Sequence, residues 1–98
     1  MDTYVVLRRG GWRSQEDLEA AADRSKVAGE GMPEEVRWVR TYVLAEPDGS
    51  LGTVCIYEAT DPDALRRHST RADLPADEIV RVAQTLVVGP DPADVVTA

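Results

Sequence analysis

The chain has 98 residues, of which 43% are hydrophobic and 30% are charged, a balance typical of one folded domain. Its formal net charge of −7 argues against a nucleic-acid partner and an anionic membrane surface, because both select clustered Lys and Arg. No apolar run approaches the roughly 20 residues of a membrane helix, and no secretory signal is expected. With one cysteine, Cys55, these features favour a cytoplasmic protein.

A strand and a helix are predicted in the first third of the chain. The range 4–9 is rich in β-branched and aromatic residues and ends at a pair of glycines. Ser14 follows as a helix N-cap, with carboxylates in the first turn, where they complement the helix dipole. Small residues then recur at helical spacing on one face: Leu18, Ala21, Ala22 and Ser25. The range 29–33 is predicted to end this helix.

A β-hairpin is predicted next, with strands over 36–44 and 53–59 and a turn at 47–50. Strict alternation along the first of these strands would place Trp38, Arg40 and Tyr42 on one face. We interpret that face as an interface, because Trp, Tyr and Arg are enriched in interfaces. An aromatic wall with a cationic head, suited to a small acidic or aromatic ligand, is the alternative.

A second helix and a last strand are predicted in the remaining third. Asp61 is a suitable N-cap, and Pro62 suits the first helical position. One face of this helix carries Leu65, His68, Ser69 and Ala72. The helix is predicted to end at 74–75 and a long strand to span 79–88. We expect residues 1–90 to form the domain and 91–98 a flexible C-terminal tail.

This element order predicts an α+β fold, a ferredoxin-like β-α-β-β-α-β sandwich with an antiparallel sheet and two helices on one face. The other face would expose apolar side chains such as Ile56, which are costly to leave in water. We therefore expect a homodimer that packs through the open sheet face, as in a dimeric αβ barrel.

The candidate chemistry centres on His68, the only histidine. Its helix face directs it toward the sheet, either as a buried neutral imidazole or as a proton shuttle or metal ligand. Alternation sets Cys55 and Tyr57 on one face of the neighbouring strand and Ile56 and Glu58 on the other. The sequence leaves open which pair faces His68. Either a His/Tyr/Cys cluster or a carboxylate–imidazole pair would result.

Three segments carry a family resemblance: Trp38-Val39-Arg40-Thr41-Tyr42-Val43, the block from Cys55 to His68, and the block from Leu74 to Ile79. Together with their surroundings, about residues 3–90, they resemble a small bacterial domain-of-unknown-function family of ferredoxin-like nickel-binding proteins.

The resemblance implies a homodimer with affinity for Ni²⁺ and no established catalysis. It makes His68 and Glu58 candidate metal ligands, although imidazole and carboxylate also suit Zn²⁺ and Cu²⁺. At position 73 the chain has Asp where this family commonly has Gly, a residue favoured at helix C-termini.

Two functions are weighed from the sequence. The first is a divalent-metal (nickel) binding homodimer without catalysis. The second is a cofactor-independent αβ-barrel enzyme of monooxygenase, isomerase or cyclase type that acts on a small aromatic or polyketide-like substrate. In that enzyme His68 would act as acid or base, together with Tyr57 or Glu58. An interaction module with neither property is a third interpretation.

Overall fold

The computed structural model describes residues 1–75 and 77–91. The strands are β1 (Asp2–Trp12), β2 (Val36–Ala45), β3 (Leu51–Ala59) and β4 (Glu78–Arg81), and the helices are α1 (Gln15–Glu30) and α2 (Pro62–Arg71). The strands form one antiparallel sheet in the order β2-β3-β1-β4. The α+β, ferredoxin-like architecture predicted from the sequence is confirmed. No helix in this part of the chain has both the length and the apolar character needed to cross a membrane.

Both helices begin where the capping residues predict. The Ser14 hydroxyl accepts a hydrogen bond from the backbone N–H of Asp17 at 3.2 Å, at the start of α1. The Asp61 carboxylate accepts one from the N–H of Ala64 at 2.8 Å, and Pro62 follows as the first residue of α2. These bonds satisfy donors that a helix N-terminus otherwise leaves free.

The core lies between the helices and one face of the sheet. The inward side chains of β1 and β3 are Tyr4, Val6, Arg8, Trp12, Thr53, Cys55, Tyr57 and Ala59. Leu65 of α2 is 1% exposed and packs among them. Cys55 and Tyr57 therefore face the helices, while Ile56 and Glu58 lie on the open side of the sheet. This answers the question of register that the sequence left open.

β2 contains one extra residue, Val39, which shifts the alternation of inward and outward side chains by one for the rest of the strand. Trp38 and Arg40 pair with consecutive residues of β3, so Val39 has no partner there. Trp38 consequently packs against the core, whereas Arg40 and Tyr42 share a face with the outward residues of β3. The prediction that Trp38, Arg40 and Tyr42 lie on one face is wrong, because strict alternation does not survive an inserted residue.

β1 is longer than predicted and continues through its two glycines to Trp12. Gly10 has a φ of +55°, a left-handed conformation that glycine adopts without a Cβ clash. The register of β1 against β3 shifts between Arg8 and Trp12. The glycines thus bend the strand instead of ending it, and Trp12 returns to the buried side.

β4 is shorter than predicted and spans Glu78–Arg81, not 79–88. Residues 82–91 form no regular element. They nevertheless return toward β2, because the Asp91 carboxylate pairs with Arg40 and accepts a hydrogen bond from the Tyr42 hydroxyl at 3.1 Å. Most of the expected flexible tail, residues 92–98, lies outside the described residues.

The C-terminal end of α2 places Asp73 in a left-handed conformation, with φ of +54°. The N–H groups of Asp73 and Leu74 donate to the carbonyls of Thr70 and Ser69 at 3.2 and 2.9 Å, the pattern of a Schellman cap. Because glycine lacks the Cβ that is strained there, we expect Asp73→Gly to raise the free energy of unfolding by about 1 kcal/mol in urea titrations. Asp73→Ala should lower it, and a Gly variant no more stable than the wild type would contradict the prediction.

Candidate functional site

The guanidinium of Arg8 is buried between α2 and the sheet. The side chain is 1% exposed. Its Nε donates to the carbonyl of Pro75 at 2.6 Å, and its Nη2 donates to the hydroxyl of Ser69 at 2.9 Å. Its Nη1 donates to the sulfur of Cys55 at 3.4 Å. The three acceptors are a backbone carbonyl, a hydroxyl and a sulfur, and none of them is a carboxylate.

A chain of hydrogen bonds joins β2 to this group. The indole N–H of Trp38 donates to the Thr41 hydroxyl at 2.7 Å, and that hydroxyl donates to Cys55 Sγ at 3.1 Å. Cys55 Sγ therefore accepts from Thr41 and from Arg8, which lie on different strands. The contacts fix four polar side chains across three neighbouring strands.

Tyr57 lies at the centre of an aromatic row. Its ring centroid is 6.4 Å from that of Trp38 and 5.4 Å from the imidazole of His68. Burial raises the pKa of the phenol, and nearby Cys55 raises it further, against a smaller opposing effect of Arg8. Tyr57 therefore stays protonated at neutral pH, in the form that donates a proton or a hydrogen bond.

His68 is buried, and one of its ring nitrogens is satisfied. Nε2 lies 3.1 Å from the carbonyl oxygen of Ser25 and must donate to it, because a carbonyl only accepts. Nδ1 then carries the lone pair and has no hydrogen-bond partner in the described part of the chain. Burial lowers the pKa of His68, and the charge of Arg8 lowers it further, whereas the bond to Ser25 raises it. The geometry fits a buried neutral imidazole.

The lowered pKa of His68 predicts a pH-dependent stability. The unfolded chain binds a proton near the ordinary histidine pKa of about 6.5, whereas the folded chain resists protonation until lower pH. The free energy of unfolding should therefore fall as the pH drops through and below about 6.5. Urea titrations between pH 5 and 8 measure this slope. His68→Gln should flatten it, and an equal slope in that variant would contradict the assignment.

The structure brings together only some of the predicted site residues. His68, Tyr57 and Cys55 lie on the inner side of the sheet, whereas Glu58 lies on the open side, where it pairs with Arg37 and is 34% exposed. The carboxylate–imidazole pair therefore does not form within one chain. Residues 1–75 and 77–91 contain no group of three or more His, Cys, Asp or Glu side chains that could hold a metal ion.

A cavity of about 710 Å³ lies between α1 and the sheet. Its walls include Arg8, Cys55 and Tyr57, together with both tryptophans of the chain, Trp12 and Trp38. His68 is not among the lining residues, but it contacts two residues that are, Tyr57 and Ser25. A cavity of this size accommodates a small organic molecule.

Arg8 is the main residue of this site that the sequence interpretation missed. It follows Tyr4 and Val6 at a spacing of two, so the alternation of the first strand contained the signal that places it inside. The apolar and aromatic residues of the range 4–9 predict the strand, and the sequence interpretation assigns no buried face to it.

Comparisons with known proteins agree on a family and a fold. The model of a family described as "Nickel responsive protein SCO4226-like" matches residues 4–82. The crystal structure of SCO4226 from Streptomyces coelicolor A3(2) is similar, with a TM-score of 0.67 and 21% identity over 86% of this chain and 99% of that one. At that identity the similarity shows the fold alone. No curated protein matches the chain.

Proposed function

Because the chain belongs to the nickel responsive protein SCO4226-like family, we propose that it binds Ni²⁺ as a homodimer. The family match over residues 4–82 is the observation that carries the proposal. The described residues of one chain do not fit a nickel site by themselves, since they bring no three suitable ligands together. We therefore propose that the ligands come from both copies.

The open face of the sheet is the proposed interface. Its apolar side chains, which the helices leave uncovered, are Val5, Leu7, Val54, Ile56 and Val80. Val80 is 49% exposed, and Leu86, beyond β4, is 77% exposed. A second copy packed face to face would remove this surface from water. A dimeric αβ barrel would be the result.

Glu58 is a better nickel ligand candidate than His68. Its carboxylate lies on the proposed interface and is partly exposed, so it could meet an ion held between two copies. Arg37, its present partner, would have to release it. His68 has a free lone pair on Nδ1, but the ring is 1% exposed and lies on the opposite side of the sheet.

Calorimetric titration with NiCl₂ and light scattering after size exclusion test the proposal. We expect a dimer and a saturable nickel heat that Glu58→Gln weakens about tenfold or more, since it removes a charged ligand. Glu16→Gln, on the exposed side of α1, is the matched control and should bind like the wild type. A monomer without a nickel heat would refute the proposal. If His68→Gln abolished the nickel heat and Glu58→Gln did not, the nickel site would lie at His68, on the side of the sheet that the helices cover. The assignment to Glu58 would then be wrong.

A cofactor-independent enzyme is the second candidate, and the cavity that contains Tyr57 favours it. Its raised pKa suits Tyr57 to act as a general acid. Glu58 cannot act as its partner there, because it lies on the other face of the sheet. His68 contacts the edge of the Tyr57 ring and would position it. Mass spectrometry can measure the rate at which the protein converts phenolic substrates. We expect that rate to be about 100-fold or more lower in Tyr57→Phe than in the wild type. Equal conversion by the variant would exclude this role.

A further inference from the structure

The guanidinium of Arg8 has no carboxylate partner in the described part of the chain. The guanidinium is 1% exposed, and no Asp or Glu in residues 1–75 and 77–91 forms an ion pair with it. A buried cation without an anion is costly, and proteins ordinarily pair or neutralise it. Arginine does not lose its proton, so neutralisation is not open to it. A negatively charged group of a ligand would pair with this buried cation.

The free donors next to Arg8 are of the kind that an anion requires. A guanidinium has five N–H groups, and the three bonds to Pro75, Ser69 and Cys55 use three of them. One N–H on each terminal nitrogen remains besides these bonds, and the hydroxyl of Tyr57, whose pKa a hydrogen bond with Arg8 lowers, lies within reach of the guanidinium. The hydroxyl of Thr53, 3% exposed, has no hydrogen-bond partner among the described residues. Thr53 lies directly opposite Arg8 in the β1–β3 pairing, and both line the cavity.

The remainder of the cavity wall is mixed: besides apolar and aromatic side chains it includes Gln15 and Glu19 of α1, Arg40 of β2, and Asp91. Trp12, Leu18, Trp38 and Leu74 are among the lining residues. These side chains suit an apolar, flat body, whereas the donors at Arg8 and Thr53 suit a negatively charged head.

From these contacts we propose that the cavity binds a small aromatic carboxylate, with its carboxylate on Arg8 and Thr53 and its ring against the tryptophans. The net charge of −7 repels anions from the molecule as a whole. Selective binding of a carboxylate in the cavity therefore depends on the positive charge of Arg8. The inference concerns binding alone. It holds whether or not Tyr57 is catalytic and whether or not the open sheet face takes nickel.

Two probes of equal shape test the proposal: 3-phenylpropanoate and its neutral analogue 3-phenylpropan-1-ol. Both tryptophans of the chain line the cavity, so their fluorescence reports occupancy, and calorimetry gives the affinities. We expect the carboxylate to change tryptophan fluorescence and to bind about tenfold or more tightly than the alcohol, as charged hydrogen bonds warrant. Arg8→Met should abolish this preference. Arg37→Gln, a charge removal on the open face, should leave it unchanged.

Thr53→Val keeps the test decisive if Arg8→Met does not fold. Valine has nearly the shape of threonine and removes only the hydroxyl, so the preference for the carboxylate should fall several-fold while the affinity for the alcohol stays. Three results would each overturn the proposal. They are no fluorescence change with the carboxylate, equal affinities of the two probes for the wild type, and an undiminished preference in Thr53→Val.

Discussion

Leu65→Ala should lower the free energy of unfolding by about 3 kcal/mol, the middle of the range for a fully buried leucine. The Leu65 side chain is 1% exposed and packs on Tyr4, Val6 and Tyr57, which belong to β1 and β3. These partners cannot collapse into the space, because the sheet fixes their backbones. Urea titration followed by circular dichroism measures the change.

Val27→Ala is the control for Leu65→Ala. Val27 lies on α1 and is 69% exposed, so removing its methyl groups should change the free energy of unfolding by less than about 0.5 kcal/mol. A loss below about 1 kcal/mol in Leu65→Ala would show that α2 is not packed as described.

Gly52→Ala should also cost about 3 kcal/mol, through overpacking rather than a cavity. A Cβ at position 52 would lie 2.7 Å from the backbone oxygen of Arg8 and 2.9 Å from a carboxylate oxygen of Glu46. The paired strand holds the backbone oxygen in place, so it cannot yield cheaply. Because that oxygen belongs to Arg8, the variant should also weaken the preference for 3-phenylpropanoate. The free energy of unfolding and the two probe affinities measure the effects.

Gly89→Ala is the matched control for Gly52→Ala. A Cβ at position 89 meets no atom within 4 Å, so the same substitution should leave both measurements within error. A Gly52→Ala protein as stable as the wild type would mean that β1 and β3 approach less closely than described.

The element order and the helix starts were predictable because their causes are local. Ser14 and Asp61 cap helices through contacts three residues away, and the turn at 47–50 depends on its own residues. The bulge at Val39 was not predictable, because no glycine or proline marks it. Its position depends on how β2 fits β3, which is a property of two strands and not of one.

The candidate site was predictable only in its location. The helix spacing places His68 inside, and alternation limits the side chains that it can meet to two pairs. Which pair it meets depends on how the helices lie on the sheet, and this selects Tyr57 over Glu58. The surroundings of Arg8 were not predictable either, because its hydrogen-bond partners Ser69 and Pro75 lie 61 and 67 residues away in the sequence.

The inserted residue in β2 also has a consequence for how the protein avoids aggregation. β2 is an edge strand of the sheet, and a flat edge presents free N–H and C=O groups to which another chain can add a strand. The bulge at Val39 breaks the regular spacing of those groups, and the charged side chains of Arg37 and Arg40 flank it. Edge-to-edge growth into fibrils is thereby disfavoured on this side of the molecule.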